Sequence, residues 1–309
     1  MADASSTWLG VLAGDPVHDT AFSNLQALWA AYGRQRTLGC SPFSAAVRVA
    51  SRADRLGHAF AVGYPAALEH MVGEIEVPCA LCVTESGGNS PRSIAATLEP
   101  LERGYRLNGE KTFVTFGTLA KTLIIACRAG DKPDGRPDLT VVRIPASREG
   151  IVLIELPTTP FAPEVPHARV ELDGVAVASD ERLPGDGYLG YVKPFRTIED
   201  IHVMGAALGY VVGLAMRLGS SAELVAELSA ALGALDAIRQ RPPLDPRVHV
   251  VLHGVLQQVK SALQSDRFDR LLEAAPDAER DRWLRDRALL DIASKARAAR
   301  FERAQNELW

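Results

Sequence analysis

Two stretches of the chain combine hydroxyl groups, small residues and an aromatic ring. The first, at 81–90, reads Leu81-Cys-Val-Thr-Glu-Ser-Gly-Gly-Asn-Ser90, an apolar run opening into a loop. The second, at 107–115, reads Leu107-Asn-Gly-Glu-Lys-Thr-Phe-Val-Thr115. Here Asn108-Gly109 is expected to form a hairpin turn. In the strand that follows, Phe113 and Thr115 fall on one face, because side chains alternate along a strand. Two hydroxyl-bearing strand ends beside a ring would make a platform for a flat ring system. Ordinary sheet packing would use the same residue types.

Other constellations carry less. Cys79-Ala-Leu-Cys82 has redox or zinc spacing but lacks the second pair of a structural zinc site. His249 and His253 would share a helix face, yet Val250 stands where a zinc protease needs glutamate, and no third ligand follows. A metal site is not expected. The nucleophile elbow, the dinucleotide-binding glycine turn and the P-loop are all missing from the sequence.

The two stretches need a sheet to hold them. From Cys79 to about Asp173, short apolar runs alternate with turn signals: 80–84, 105–107, 112–115, 122–127, 139–144, 151–156 and 168–172. The Gly/Pro/Asp-rich stretch 131–138 reads as an exposed loop. On either side the apolar spacing is helical. It begins at His18 and runs to about Glu76, with Ser41-Pro42 as an N-cap followed by proline at the first helical position. After Pro184-Gly185, helices are expected near 194–218, 222–239, 247–265 and 278–307, with Pro242, Pro243 and Pro246 as breakers. The expected fold class is α+β in three parts. A helical domain spans 1–76, a central β-sandwich or barrel 77–184, and a helical bundle 185–309.

The stretch 201–219 is long and nearly uncharged, with Gly205, Gly209 and Gly213 at four-residue spacing. That pattern can mark a transmembrane dimer face. A single such stretch, without a Lys/Arg bias at one flank, reads better as a helix buried in a bundle. Its glycines would admit a neighbouring helix. Overall the chain has 309 residues, of which 47% are hydrophobic and 23% charged, with a formal net charge of −4. That composition excludes a disordered chain and lacks the basic footprint of a nucleic-acid binder. No membrane-surface patch stands out. The four cysteines are too few for a disulfide scaffold, and the opening Met-Ala-Asp-Ala-Ser-Ser lacks the features of a signal peptide. A cytoplasmic protein is the expectation.

The two stretches resemble the flavin-binding core of the acyl-CoA dehydrogenase family. Residues 81–90 are similar to its hydrophobic-Thr-Glu-Pro-Gly-Ala-Gly-Ser strand and loop. Residues 107–115 are similar to its Leu-Asn-Gly-x-Lys-x-Trp-Ile-Thr segment. The resemblance runs from about Ser41 to Gly219, through 139–144, 170–183 and the helix at 199–213. It implies FAD-dependent α,β-desaturation of an acyl-CoA thioester, with the cofactor supplying the redox chemistry. Val83 and Thr84 would then contact the flavin pyrimidine edge, and Thr115 would bond near N5. Phe113 would replace the family's tryptophan against the ring, with Val114 beside it, and Ser90 would lie near the pyrophosphate. The family's C-terminal Tyr-Glu-Gly is missing. Glu199 matches the alternative position of the catalytic base, at the start of the first C-terminal helix; a solvated helix-terminal acid is the plainer reading.

Departures are also plain. Ser86 replaces the family's proline and Phe116 its asparagine. Asp200 stands where an arginine is usual, and is taken as a substrate-side residue beside Glu199. The family's phosphate-binding segment is missing after Arg217, as is its Gly-Gly segment that reaches a neighbouring subunit. Two further readings therefore stand beside the dehydrogenase. One is a degenerate, non-catalytic binding or partner subunit, in which FAD is held weakly or with a full-length paralogue. The other is a flavin monooxygenase of the same fold. A homodimer or homotetramer is expected, with an acyl-CoA or related thioester as ligand.

Overall fold

The computed structural model describes residues 7–13, 22–88 and 90–309. The first six residues, His18 and Asn89, which enter the sequence reading, lie outside the described residues. The chain divides into two compact units. A helical unit comprises Met1–His70, Pro160–Glu164 and Thr197–Trp309, and a β unit comprises Met71–Thr159 and Val165–Arg196.

The β unit is one curled seven-stranded sheet. Its strands are β1 (Cys79–Cys82), β2 (Thr97–Pro100), β3 (Tyr105–Thr115), β4 (Thr122–Asp131), β5 (Pro137–Pro145), β6 (Ile151–Glu155) and β7 (His167–Val177). β4 is the hub. It pairs parallel with β1, antiparallel with β5, and meets β2 at Thr97 and Arg128. With neighbours along both edges, β4 is apolar and buried from Leu123 to Cys127. β3 pairs antiparallel with β2 and β7, and β6 closes the far side of β7.

One expectation is corrected here. Asn108-Gly109 does not turn the chain, because β3 runs unbroken through it from Tyr105 to Thr115. The pair forms a bulge, where the register against β7 shifts between Leu107 and Gly109. Gly109 has φ +139, and a methyl group there would lie 2.6 Å from Ala96 Cα, so glycine admits the close approach of the residue that precedes β2. Asn108 Oδ1 accepts a hydrogen bond from Gly174 N at 2.7 Å across the bulge. The actual hairpin turn joins β2 to β3, where Leu101 N donates to Gly104 O at 3.1 Å. β2 itself was not among the expected runs, since Thr-Leu-Glu-Pro offers one buried apolar residue.

The helical unit contains α1 (Leu25–Thr37), α2 (Pro42–Ala50), α3 (Leu56–Val72), α4 (Lys193–Arg217), α5 (Ala222–Ile238), α6 (Pro246–Leu263), α7 (Asp266–Ala274), α8 (Asp277–Asp286) and α9 (Ser294–Leu308), with α3 and α4 each crossing a unit boundary in sequence. Ser41 caps α2 through Ser44 N, and Pro42 takes the first position, as read from the sequence. Phe43 and Val47 of α2 are wholly buried. Each contributes about 1.5–3 kcal/mol by leaving water.

The glycine row of α4 faces α2. A methyl group at Gly205 would meet the Phe43 ring at 2.3 Å, one at Gly209 would meet Val47 O at 2.5 Å, and one at Gly213 would meet Ser51 O at 1.9 Å. α4 belongs to the helical run Tyr188–Arg217, the one described helix long and apolar enough to span a membrane, and 89% of its apolar window is buried. It is a core helix. The long helix expected over 278–307 is instead α8 and α9, separated by a 3-10 turn at Arg287–Asp291. The turn leaves the Leu290 carbonyl free of the helix ladder, and Arg297 Nη1 donates to it at 2.7 Å. α7 lies beyond the expected end near Ser265, which caps it through Phe268 N at 3.4 Å.

Candidate active site

In the β unit the two motif stretches come together. Thr112 N donates to Thr84 O at 2.8 Å, joining the end of β1 to β3. Beneath that bond lies a buried ion pair. Lys111 is 0% exposed, and its Nζ stands 2.6 Å from Glu85 Oε1. The Glu85 carboxylate also accepts from Ala95 N at 2.7 Å and Ala96 N at 3.1 Å. A charge this deep persists only when its remaining hydrogen-bonding capacity is met. The loop after β1 therefore folds around Glu85, closed by mutual backbone bonds between Glu85 and Gly88. Ser90 lies exposed on that loop and caps the short turn Pro91–Ser93. Glu85 and Lys111 lie inside both matched motifs but received no role from the sequence. Their signal was a lysine two residues before Phe113 and a glutamate directly after Thr84.

The segment 113–116 is held in an uncommon backbone shape. Phe113 (φ 53) and Phe116 (φ 58) both occupy the left-handed region, on either side of Val114 and Thr115. For a non-glycine residue this costs roughly 1–2 kcal/mol. Phe116 offsets the cost by burial, and its N donates to Pro166 O at 2.8 Å. Asparagine tolerates this region well, which gives a physical reason for the family's preference at that position. Phe113 gains no such burial. It is 63% exposed on a β-bulge, where the register with β7 slips between Lys111 and Val114. A strained backbone that presents an apolar ring to solvent is a common sign of a ligand site. The ring is tilted against His167 at 5.7 Å, and His167 is the register partner of Thr115. Burial holds His167 below the usual histidine range. Nothing in the sequence pattern pointed to His167.

The side chains differ in what they offer. Val114 is buried in the sheet core, so only its backbone can reach a ligand. The hydroxyls of Thr84 and Thr115 are half-buried and make no hydrogen bond among the described residues. The hydroxyl of Thr118, just beyond, is buried without a partner. Together with the exposed Phe113 ring, this donor set fits a flat heteroaromatic group. By contrast, burial pushes the Cys82 thiol up to about 12, so Cys79-x-x-Cys82 is inert sheet core. Among the described residues no cluster of three or more His, Cys, Asp or Glu could hold a metal ion. His253 stacks on Phe301 at 3.7 Å.

Glu199 and Asp200 belong to the helical unit. Glu199 is half-buried and lies well past the start of α4 at Lys193, so the picture of a solvated acid at a helix terminus does not describe it. Asp200 is buried, and Arg297 Nε donates to it at 2.8 Å. Arg300 Nη2 pairs with its other oxygen. The charge reversal at this position is therefore matched by two arginines from α9. Arg217 is also engaged. It donates to Ser51 O at 2.8 Å and Ala53 O at 3.2 Å, and pairs with Glu279 at 3.1 Å.

Comparisons with known proteins bear on the central domain and on the fold. Residues 80–175 match the family described as acyl-CoA dehydrogenase, middle domain. A benzylmalonyl-CoA dehydrogenase of Aromatoleum aromaticum is 30% identical over 140 residues, 44% of this chain and 35% of that protein. The match thus spans about a third of the length of that relative. Among solved structures, butyryl-CoA dehydrogenase from Megasphaera elsdenii superposes with a TM-score of 0.67 at 16% identity, covering 99% of this chain and 98% of that one. FMN-bound TdsC from a Paenibacillus species gives 0.68 at 15% identity, covering 98% and 95%. Residues 80–175 thus match an acyl-CoA dehydrogenase middle domain, and the chain as a whole shares its fold with these solved structures.

Proposed function

We propose that the protein is an FAD-dependent acyl-CoA dehydrogenase-like oxidoreductase that desaturates an acyl-CoA thioester between its α and β carbons. The observation that carries this reading is the strained, exposed Phe113 ring beside the unpartnered hydroxyls of Thr84 and Thr115. A bound flavin would supply the acceptor for the substrate's β-hydrogen. Phe113 would support the ring, and Val83 and Thr84 would hold its pyrimidine edge, where donors stabilise developing negative charge. Thr115 would hydrogen-bond near N5 with the backbone of Val114 beside it, and Ser90 would help to hold the pyrophosphate. Glu199 removes the α-proton of the thioester. The Glu85–Lys111 pair fixes both flavin-facing segments without touching the ring. Asp200, held by Arg297 and Arg300, serves the substrate side by fixing this stretch of α4. The protein works in the cytoplasm as a homodimer or homotetramer.

The purified protein is expected to show the visible absorption of a bound flavin, bleached anaerobically by an acyl-CoA. The Glu199→Gln variant should keep the flavin and lose the bleaching. Bleaching at the unaltered rate in that variant removes Glu199 from the role of base. A second reading, a partner subunit that binds without turnover, is favoured by the engagement of Arg217 with Ser51, Ala53 and Glu279. It requires a colourless protein when purified alone.

A further inference from the structure

Within the helical unit, α4, α6, α8 and α9 and the 3-10 turn Arg287–Asp291 enclose a cavity of about 600 Å³. Helix interiors are normally close-packed, and this volume falls in the range of small-molecule sites. Its floor is apolar and buried, formed by Met204, Val259 and Trp283. Its mouth carries two cations, Lys260 and Arg287, and one anion, Asp291. None of these three makes an ion pair or side-chain hydrogen bond among the described residues. Arg297 also lines the cavity, but its charge is committed to Asp200. At the lip Leu284 is 49% exposed, an apolar side chain left in water.

An apolar floor beneath a mouth with one surplus positive charge matches a molecule with a hydrocarbon body and an anionic end. We infer that this cavity is a binding site for an alkyl carboxylate. The chain lies on Met204, Val259 and Trp283, and the carboxylate meets Lys260 and Arg287 through charge-assisted hydrogen bonds. The inference does not rest on the proposed dehydrogenase activity, because every group it uses belongs to the helical unit alone.

The test is calorimetric titration of the full chain with dodecanoate, without added flavin or CoA. One saturable site per chain is expected. Dodecanol, with the same chain and no charge, should bind at least tenfold more weakly. Lys260→Glu combined with Arg287→Glu, both exposed, should weaken dodecanoate binding at least tenfold. Ala298→Trp fills the cavity from an exposed wall position and should abolish binding, with native circular dichroism. Should that variant fail to fold, Ser294→Trp, also an exposed wall position, takes its place. The inference is overturned by any of three results: no saturable binding to the unaltered chain, equal binding of dodecanol, or unchanged binding in the folded tryptophan variant. No arm reads turnover or flavin absorbance, so failure here and failure of the dehydrogenase reading are separate events.

Discussion

Two buried charge clusters, one in each unit, are built in different ways. In the β unit one lysine meets one glutamate, Lys111 is fully enclosed, and two backbone N–H groups complete the carboxylate. In the helical unit one aspartate, Asp200, meets two arginines that keep 16% and 11% of their side-chain surface exposed. The difference follows from the cations. A lysine head is a compact point charge, which a single carboxylate can neutralise in a closed space. A guanidinium is broad and always charged, and it can serve a carboxylate, a carbonyl and the solvent edge together. The first arrangement ties the loop after β1 to β3. The second ties α9 to α4 across nearly a hundred residues of sequence.

Lys111→Met should have the largest effect, because it strands the Glu85 carboxylate under the loop it organises. A loss of about 3–5 kcal/mol is expected by chemical denaturation, together with loss of flavin binding. If the variant kept near-native stability, the pair would not be the lock of this sheet. Asp200→Asn should cost less, about 2 kcal/mol, because both arginines keep a path to water. A larger loss than that of Lys111→Met would reverse the comparison.

Acid should act on the helical unit through His202. That side chain is fully buried, with Nδ1 at 2.8 Å from Ile198 O and its ring against His70 and Phe43. Burial, helped by His70, lowers it to about 3 from an ordinary value of 6.5. The unfolded chain binds a proton below 6.5 that the folded chain refuses. This contribution is therefore fully present above pH 6.5 and is lost as the pH falls toward about 3. The slope is about 1.4 kcal/mol per pH unit. His58, lowered by burial to about 4, adds to the same window, so denaturation at several pH values should show the combined slope, and His202→Leu should reduce it without removing it. The smallest stability effect belongs to Phe113→Ala, within about 0.5 kcal/mol for an exposed residue. The same change should weaken flavin binding by roughly 0.5–1.5 kcal/mol, the worth of one aromatic contact. Unaltered flavin affinity would remove Phe113 from the platform.

Much of the fold was legible in local pattern. Ser41-Pro42 announced α2, because a hydroxyl cap and a proline at the first position answer needs that arise within one helical turn. The spacing of Gly205, Gly209 and Gly213 announced a close helix neighbour, though not that α2 would be the one. Asn108-Gly109 misled, because the left-handed freedom that makes a hairpin turn also makes a bulge. Only the pairing of β3 with β2 and β7 selects between them. The break between α8 and α9 was invisible for a similar reason. The chain carries no proline or glycine there, and the bond from Arg297 to Leu290 O becomes available only once α9 is docked.

For the candidate site, the sequence determined the residue types: hydroxyls at Thr84 and Thr115, a ring at Phe113 and a carboxylate at Glu199. It also determined the two motif strings that hold Glu85 and Lys111. Tertiary structure decided what those residues are free to do. It joined Glu85 to Lys111, left the two threonine hydroxyls without internal partners, and turned Phe113 outward at the cost of backbone strain. It also gave Asp200 its two arginines. The physical reason is range. Backbone propensity and side-chain alternation act over a few residues, so sequence carries them directly. The solvation of a buried charge depends on whatever the fold brings within about 3 Å, and that is set only when distant segments pack.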